Sequence, residues 1–306
     1  MYDYIMNFPD TFRRHILPDQ IHILNLSFMV DKLERSWGGT AGNIAYTTKL
    51  LGSEPFIVSA LGKDGNQYAA YFKNHGISRE YIFMDDTQMT ASAYITTDAD
   101  NNQIAAFYPG PLKKASDIDA RDIMQANEIA IVAPTHKDAM MRHVRDAAAA
   151  GMRVVFDPGQ QMTAFNESEL KDMIERSSFV IGNDYEMKLL QDRTHWDAKT
   201  IMGESRVLIT TLGERGSIVS TPHGEQIEIP PCPPQSFDDP TGAGDAYRAG
   251  FFVGVEKAFE YAVCGRMGSV AASYAIETYG TQAHAFAKEE FCDRYKRTYG
   301  EFLPLI

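Results

Sequence analysis

The chain has 306 residues, with 29 Lys+Arg against 41 Asp+Glu for a formal charge of −12, and it is 44% hydrophobic and 23% charged. This is globular composition rather than disorder, long enough to bury a large core without disulfide or metal staples. The acidic balance excludes a nucleic-acid partner, because phosphate neutralisation needs clustered Lys and Arg, but it leaves room for an anionic small ligand held by backbone amides.

At this length the chain divides into about two 150-residue units or forms one α/β domain with an appendage. Cys232, Cys264 and Cys292 are far apart with no CxxC pair, which excludes a disulfide framework or a sequence-readable zinc site and points to a reducing compartment. No apolar run approaches the ~18 residues of a membrane span. Asp3, Pro9 and Asp10 interrupt the apolar core a signal peptide would need. A soluble cytoplasmic protein with no membrane contact is expected.

In chain order, strand-like pieces at Tyr4–Phe8 and Leu26–Val30 flank a polar, Pro-containing stretch. Ala91–Thr97 and Gln103–Tyr108 alternate apolar with polar residues around the turn Asp98–Asn102, a hairpin signature with one open face. Together these segments predict a small β-sheet lid over a main body; an ordinary edge hairpin is the plainer alternative. From residue 128 onward short apolar runs alternate with helical patterns: Glu128–Ala133, helix His136–Ala150, Met152–Asp157, helix Glu167–Arg176, Phe179–Asn183, helix Tyr185–Gln191 and Arg206–Thr211. Helices at about Ala243–Val255, Glu260–Thr278 and Phe286–Tyr299 close the chain. Strands this short and apolar on both faces suit a parallel sheet covered on each side, with right-handed crossovers. The expectation is a doubly wound, mostly parallel α/β fold, with residues 38–87 and 113–306 in the main body and 1–37 and 88–112 in the lid.

The chemistry concentrates in Asp238–Phe251 (DDPTGAGDAYRAGF). An extended piece ends at Pro240, a Gly-rich turn follows, and then an apolar helix. The amides of Gly242, Ala243 and Gly244 at a helix N-terminus are suited to cradle a phosphoryl group without a lysine. Asp245 in the first helical turn is placed either to accept a proton from an attacking hydroxyl or simply to complement the helix terminus. Neither GxxxxGK[ST] nor a three-glycine dinucleotide fingerprint is present, so a phosphotransferase here is not of the P-loop or protein-kinase type.

DPTGAGDAYRAGF resembles the C-terminal signature of the ribokinase (PfkB) family of carbohydrate and nucleoside kinases. Trp37–Ala45 (WGGTAGNIA) resembles its second signature, Asn183–Glu186 (NDYE) its N-x-x-E element, and Thr211–Gly216 (TLGERG) a further motif, all in family order. Within the family the likeness is greatest to bacterial adenosine kinases, through GGTAGNIAY, Asn101–Ile104 with Phe107, Asp157–Gln161 (DPGQQ), NDYE with Trp196 downstream, and Glu277-x-x-Gly-Thr-Gln282.

The resemblance implies a ribokinase-like fold and ATP- and Mg²⁺-dependent phosphorylation of a nucleoside, adenosine at its 5′-hydroxyl before others. By that resemblance Asp245 is the general base and the Gly242–Gly244 amides are the anion hole. Asn43 and Gly39 meet the ribose, Asp3 binds its diol, Phe107 stacks on a purine, and Gln160 and Gln161 lie on the substrate side. Asn183 and Glu186 orient the phosphates and a hydrated Mg²⁺, and Thr211, Gly213 and Gly216 line the nucleotide site. It also implies a homodimer through the lid sheets. Plainer roles stand beside these: Gly38 and Gly39 as a turn, Asn43 as a polar first-turn residue, Phe107 as hairpin core, Asn183 as a helix cap, Gln160 and Gln161 as solvated loop, Thr211–Gly216 as a tight turn before the strand Ser217–Ser220, and Glu186 as a solvated helix residue. Alternatives in substrate are a sugar such as ribose or a fructose phosphate, or a nucleoside-binding protein without catalysis. One departure stands out: the family opens with an apolar strand before the substrate Asp, and here only Met1 and Tyr2 precede Asp3.

Overall fold

The computed structural model describes residues 1–16, 26–100 and 102–303. The elements run β1 (Tyr2–Asn7), α1 (Phe12–His15), β2 (Lys32–Trp37), α2 (Thr40–Leu50), β3 (Ser59–Leu61), α3 (Asn66–Asn74), β4 (Ile82–Met84), β5 (Ser92–Thr97), β6 (Gln103–Tyr108), α4 (Arg121–Ala126), β7 (Ile129–Val132), α5 (Lys137–Ala149), β8 (Arg153–Phe156), α6 (Glu167–Glu175), β9 (Phe179–Asn183), α7 (Asp184–Thr194), α8 (Ala198–Met202), β10 (Val207–Thr211), β11 (Ser217–Ser220), β12 (Gln226–Ile229), α9 (Ala243–Glu256), α10 (Tyr261–Ile276) and α11 (Lys288–Tyr299).

The main sheet has six strands in the order β12-β11-β10-β9-β8-β7. β7 to β10 are parallel, while β11 and β12 pair antiparallel at one edge. Because side chains alternate across a strand, each parallel strand feeds two cores. Val154, Phe156, Val180 and Leu208 join α5 to α8 on one face, and Val155, Phe179, Ile181, Val207 and Ile209 join α9 and α10 on the other. These strands therefore read as continuous apolar runs, and the fold is the helix-covered α/β sheet the sequence implied.

A separate four-stranded sheet has the order β2-β1-β5-β6, and β3 pairs with β4 in a third, two-stranded one. β1 runs parallel to β5 and antiparallel to β2. The strand expected at Leu26–Val30 does not form; the partner of β1 is Lys32–Trp37 instead. The apolar character of Leu26–Val30 serves a loop, with Phe28 set against Phe8 and Phe12 at ring centroids 4.8 and 5.1 Å. Asn101 of the expected hairpin turn lies outside the described residues. No described strand pairs with the free side of β7. No described helix is long and apolar enough to cross a membrane.

α9 is fixed by close approach to α10. A Cβ on Gly250 would sit 2.6 Å from the Met267 carbonyl, and one on Gly268 2.9 Å from the Tyr247 ring. Gly250→Val is expected to destabilise the fold by about 1–3 kcal/mol, since backbone cannot yield to an added side chain; urea unfolding that shows no loss would contradict this tight contact.

Candidate active site

Asp157 follows β8, and Asn183 and Thr211 end β9 and β10, where they are register neighbours. This is the carboxyl edge of the parallel strands, where α/β sheets bind ligands. Gly242 caps α9 with φ 82°, a conformation only glycine adopts freely, and Asp245 follows in the first turn. Ala243 N–H donates to the Pro240 carbonyl at 3.2 Å, tightening the turn. The N–H groups of Gly242, Gly244 and Asp245 have no acceptor among the described residues, which leaves three amides at a positive helix end.

Asp245 has a hydrogen-bond donor on one side and a neighbouring cation on the other. Asn43 Nδ2, in the first turn of α2, donates to its Oδ2 at 2.7 Å. On the other side Arg248, one turn further along α9, donates to both carboxylate oxygens of buried Asp157, at 2.5 and 2.8 Å, and to the Gly244 carbonyl at 3.0 Å. Burial pushes the Asp245 carboxyl up to about 6, with Arg248 and the Asn43 hydrogen bond opposing and Asp157 and Glu186 reinforcing the rise.

Asp3 enters the same space from β1. It is 6% exposed, and its Oδ1 has no hydrogen-bond partner among the described residues. A Cβ on Gly38 would overlap this carboxylate, so glycine there is what admits Asp3. Burial pushes Asp3 up to about 6 as well, helped by the nearby Asp245 and Asp239 carboxylates. Register places Ser36, Asp3, Ala93 and Phe107 in one row across the four-stranded sheet. Phe107 therefore shares the face of Asp3, and it is 50% exposed.

The other expected site residues divide. Gly39, with φ 93°, is the N-cap of α2. Asn183 and Glu186 form a reciprocal capping box on α7, at 2.8 and 2.9 Å, so the plain cap reading of Asn183 holds structurally. Gly213 and Gly216 bracket a short turn after Thr211. Gln160 and Gln161 lie in the 3-10 segment Gly159–Ala164, with no side-chain bond to Asp3, Asn43 or Asp245 among the described residues.

Sequence reasoning assigned no role to Arg248, Asp239, Tyr68 or Gln282. Arg248 was legible in one respect, since an arginine inside AYRAGFF requires a buried anion and Asp157 supplies it. Asp239 ties the turn to a distant segment by accepting from Thr241 N–H at 2.9 Å and Gly280 N–H at 3.0 Å. Nothing local in the sequence signals that link.

A carboxylate beside free amides at a helix end, with a second buried carboxylate across the cleft, is the equipment of a hydroxyl-directed phosphotransferase. Residues 9–287 match the model of the pfkB family carbohydrate kinases; the chain belongs to this family and is an ATP-dependent phosphotransferase. The chain is similar to a nucleoside kinase of Methanocaldococcus jannaschii, 29% identical over 89% of this chain and 90% of that one. It is also similar to the nucleoside kinase of Burkholderia thailandensis in complex with inosine, with a TM-score of 0.90 and 37% identity over 98% of this chain and 96% of that one. The ADP-inosine complex of the same enzyme gives a TM-score of 0.87 at 38% identity, over 99% of this chain and 94% of that one.

Because Asp3 and Asp245 bind protons more tightly folded than unfolded, the contribution of these two groups weakens the fold as pH rises from about 4 to 6. Asp3→Asn should therefore gain about 1–2 kcal/mol relative to wild type at pH 7.5 and almost nothing at pH 4. Urea unfolding with the same difference at both pH values would contradict the raised carboxyl.

Proposed function

We propose that the protein phosphorylates the 5′-hydroxyl of a purine nucleoside with ATP, adenosine foremost. The observation that carries the substrate is the buried Asp3 carboxylate, whose Oδ1 lacks a partner among the described residues and which lies in one cross-sheet row with half-exposed Phe107. Two acceptor oxygens suit the adjacent hydroxyls of a ribose, and an open aromatic in the same row suits a purine face. The relatives named as nucleoside kinases, one of them bound to inosine, support the same class.

In this reading the small sheet is a lid that closes on the nucleoside and excludes water. Asp245 accepts the 5′-hydroxyl proton as the O5′–P bond forms and the bond from phosphorus to the ADP oxygen breaks. With its carboxyl near 6 it is ionised at neutral pH yet basic enough to take the proton. The amides of Gly242, Gly244 and Asp245 face the charge on the transferring phosphoryl group. Asn183, Thr211, Gly213 and Gly216 are assigned to the nucleotide, at the carboxyl ends of β9 and β10. Glu186 on α7 would hold Mg²⁺ through a water beside the nucleotide phosphates, where the metal would supply neutralisation of phosphate charge.

Asp245→Asn should lower kcat at least ~100-fold while nucleoside still binds. Coupled ADP release compared across adenosine, inosine, ribose and fructose 6-phosphate checks both points. Turnover only with a free sugar would overturn the nucleoside, and near-normal turnover of the variant would overturn the base.

A homodimer through the lid is the assembly that fits. Tyr4 stacks on Tyr94 at 4.8 Å, on the sheet face opposite Asp3, where Leu33, Tyr94 and Ile104 are 63%, 44% and 44% exposed. Sedimentation at about twice 34.2 kDa, reduced to one by Tyr94→Glu, is expected; a monomer at micromolar concentration would contradict it.

A further inference from the structure

Asn43 donates to Asp245 only if its amide faces the right way, and an unsupported amide is free to rotate by half a turn. The structure contains a device that prevents this. Tyr68 OH, from α3, donates to the Gly38 carbonyl at 2.8 Å and so presents its oxygen as an acceptor. Gln282 Nε2 donates to that oxygen at 2.5 Å and to Asn43 Oδ1 at 2.7 Å. Asn43 must then point Nδ2 at Asp245. Every link has one possible polarity, and the chain runs from a backbone carbonyl to the reacting carboxylate.

Gln282 itself is poorly suited to a purely structural role. It is 4% exposed, its Oε1 has no partner among the described residues, and its backbone φ of 58° is a left-handed value uncommon for a residue with a side chain. The segment is anchored around it: Tyr71 OH donates to the Gln282 carbonyl at 2.8 Å, and Thr281 Oγ1 donates to the Trp37 carbonyl.

We infer that Gln282 is a positioning residue for the phosphoryl-transfer step, which locks the Asn43 amide in the orientation that donates to the Asp245 carboxylate. In this role it acts through Asn43. The inference rests on the assignment of Asp245 as base. The charged groups that act on Asp245 from the surrounding elements are Arg248 on α9, Asp157 after β8, Glu186 on α7 and Asp3 on β1. None of them hydrogen-bonds Gln282 among the described residues, so removing its amide changes Asp245 through Asn43 alone.

The test is Gln282→Leu in the full chain, read in two ways. Carboxyl ¹³C titration of Asp245 should show its midpoint rising by about one unit, because loss of a hydrogen bond to the charged form disfavours it. The acid limb of kcat should move by the same amount, with a several-fold loss at pH 6 that largely recovers at pH 8.5, and KM for ATP should not change. In an Asn43→Leu background, Gln282→Leu should add nothing, as expected of two residues acting in series. An unmoved midpoint in a folded variant, or full additivity with Asn43→Leu, would overturn the role of Gln282. Since the titration reads the carboxyl directly, a moved midpoint supports the positioning role even if Asp245→Asn proves fully active, in which case the assignment of the base fails by itself.

Discussion

The first turn of α9 must hold a carboxylate where helix geometry and burial both act on it. The helix end favours its negative charge, while removal from water disfavours that charge and draws the Asp245 carboxyl up to about 6. The surroundings settle this opposition with a hydrogen bond from Asn43 on α2 and the nearby positive charge of the Arg248 guanidinium on α9 itself, which donates to the Gly244 carbonyl. Arg248 can remain buried and charged only because Asp157 accepts two of its N–H groups at the end of β8. Asp245, the Gly-rich turn and the sheet edge are thus one electrostatic unit.

The remainder of the architecture serves that unit. The α9–α10 contact, so close at Gly250 and Gly268 that neither position has room for a side chain, sets the axis on which Asp245 and Arg248 sit one turn apart. Asp239 links the turn before α9 to Gly280, and two residues on, Gln282 reaches Asn43. The segment after α10 therefore braces both the Gly-rich turn and Asn43, the donor to Asp245. The four-stranded sheet delivers Asp3 to the opposite wall through the gap that Gly38 leaves.

The parallel sheet and its helices were legible because residues such as Val154, Val155 and Phe156 are apolar on both faces, a pattern few other folds need. The Gly-rich turn and Asp245 were legible because their chemistry is contiguous. Leu26–Val30 misled because apolar residues that cover an aromatic cluster carry the same local pattern as a strand. Gln282 and Tyr68 were not legible, since their roles arise from contacts across more than two hundred residues and leave no periodic trace. Arg248 was half legible: the sequence shows an arginine that needs an anion but not which anion.

Transfer to a nucleoside hydroxyl at Asp245 is the central claim, and the position of the new phosphate tests it most directly. Incubation of the protein with ATP, Mg²⁺ and adenosine, followed by ³¹P NMR of the products, should give ADP and a single 5′-monoester in equal amounts. Inorganic phosphate alone, or an ester at another hydroxyl, would contradict the proposed roles of Asp3 and Asp245.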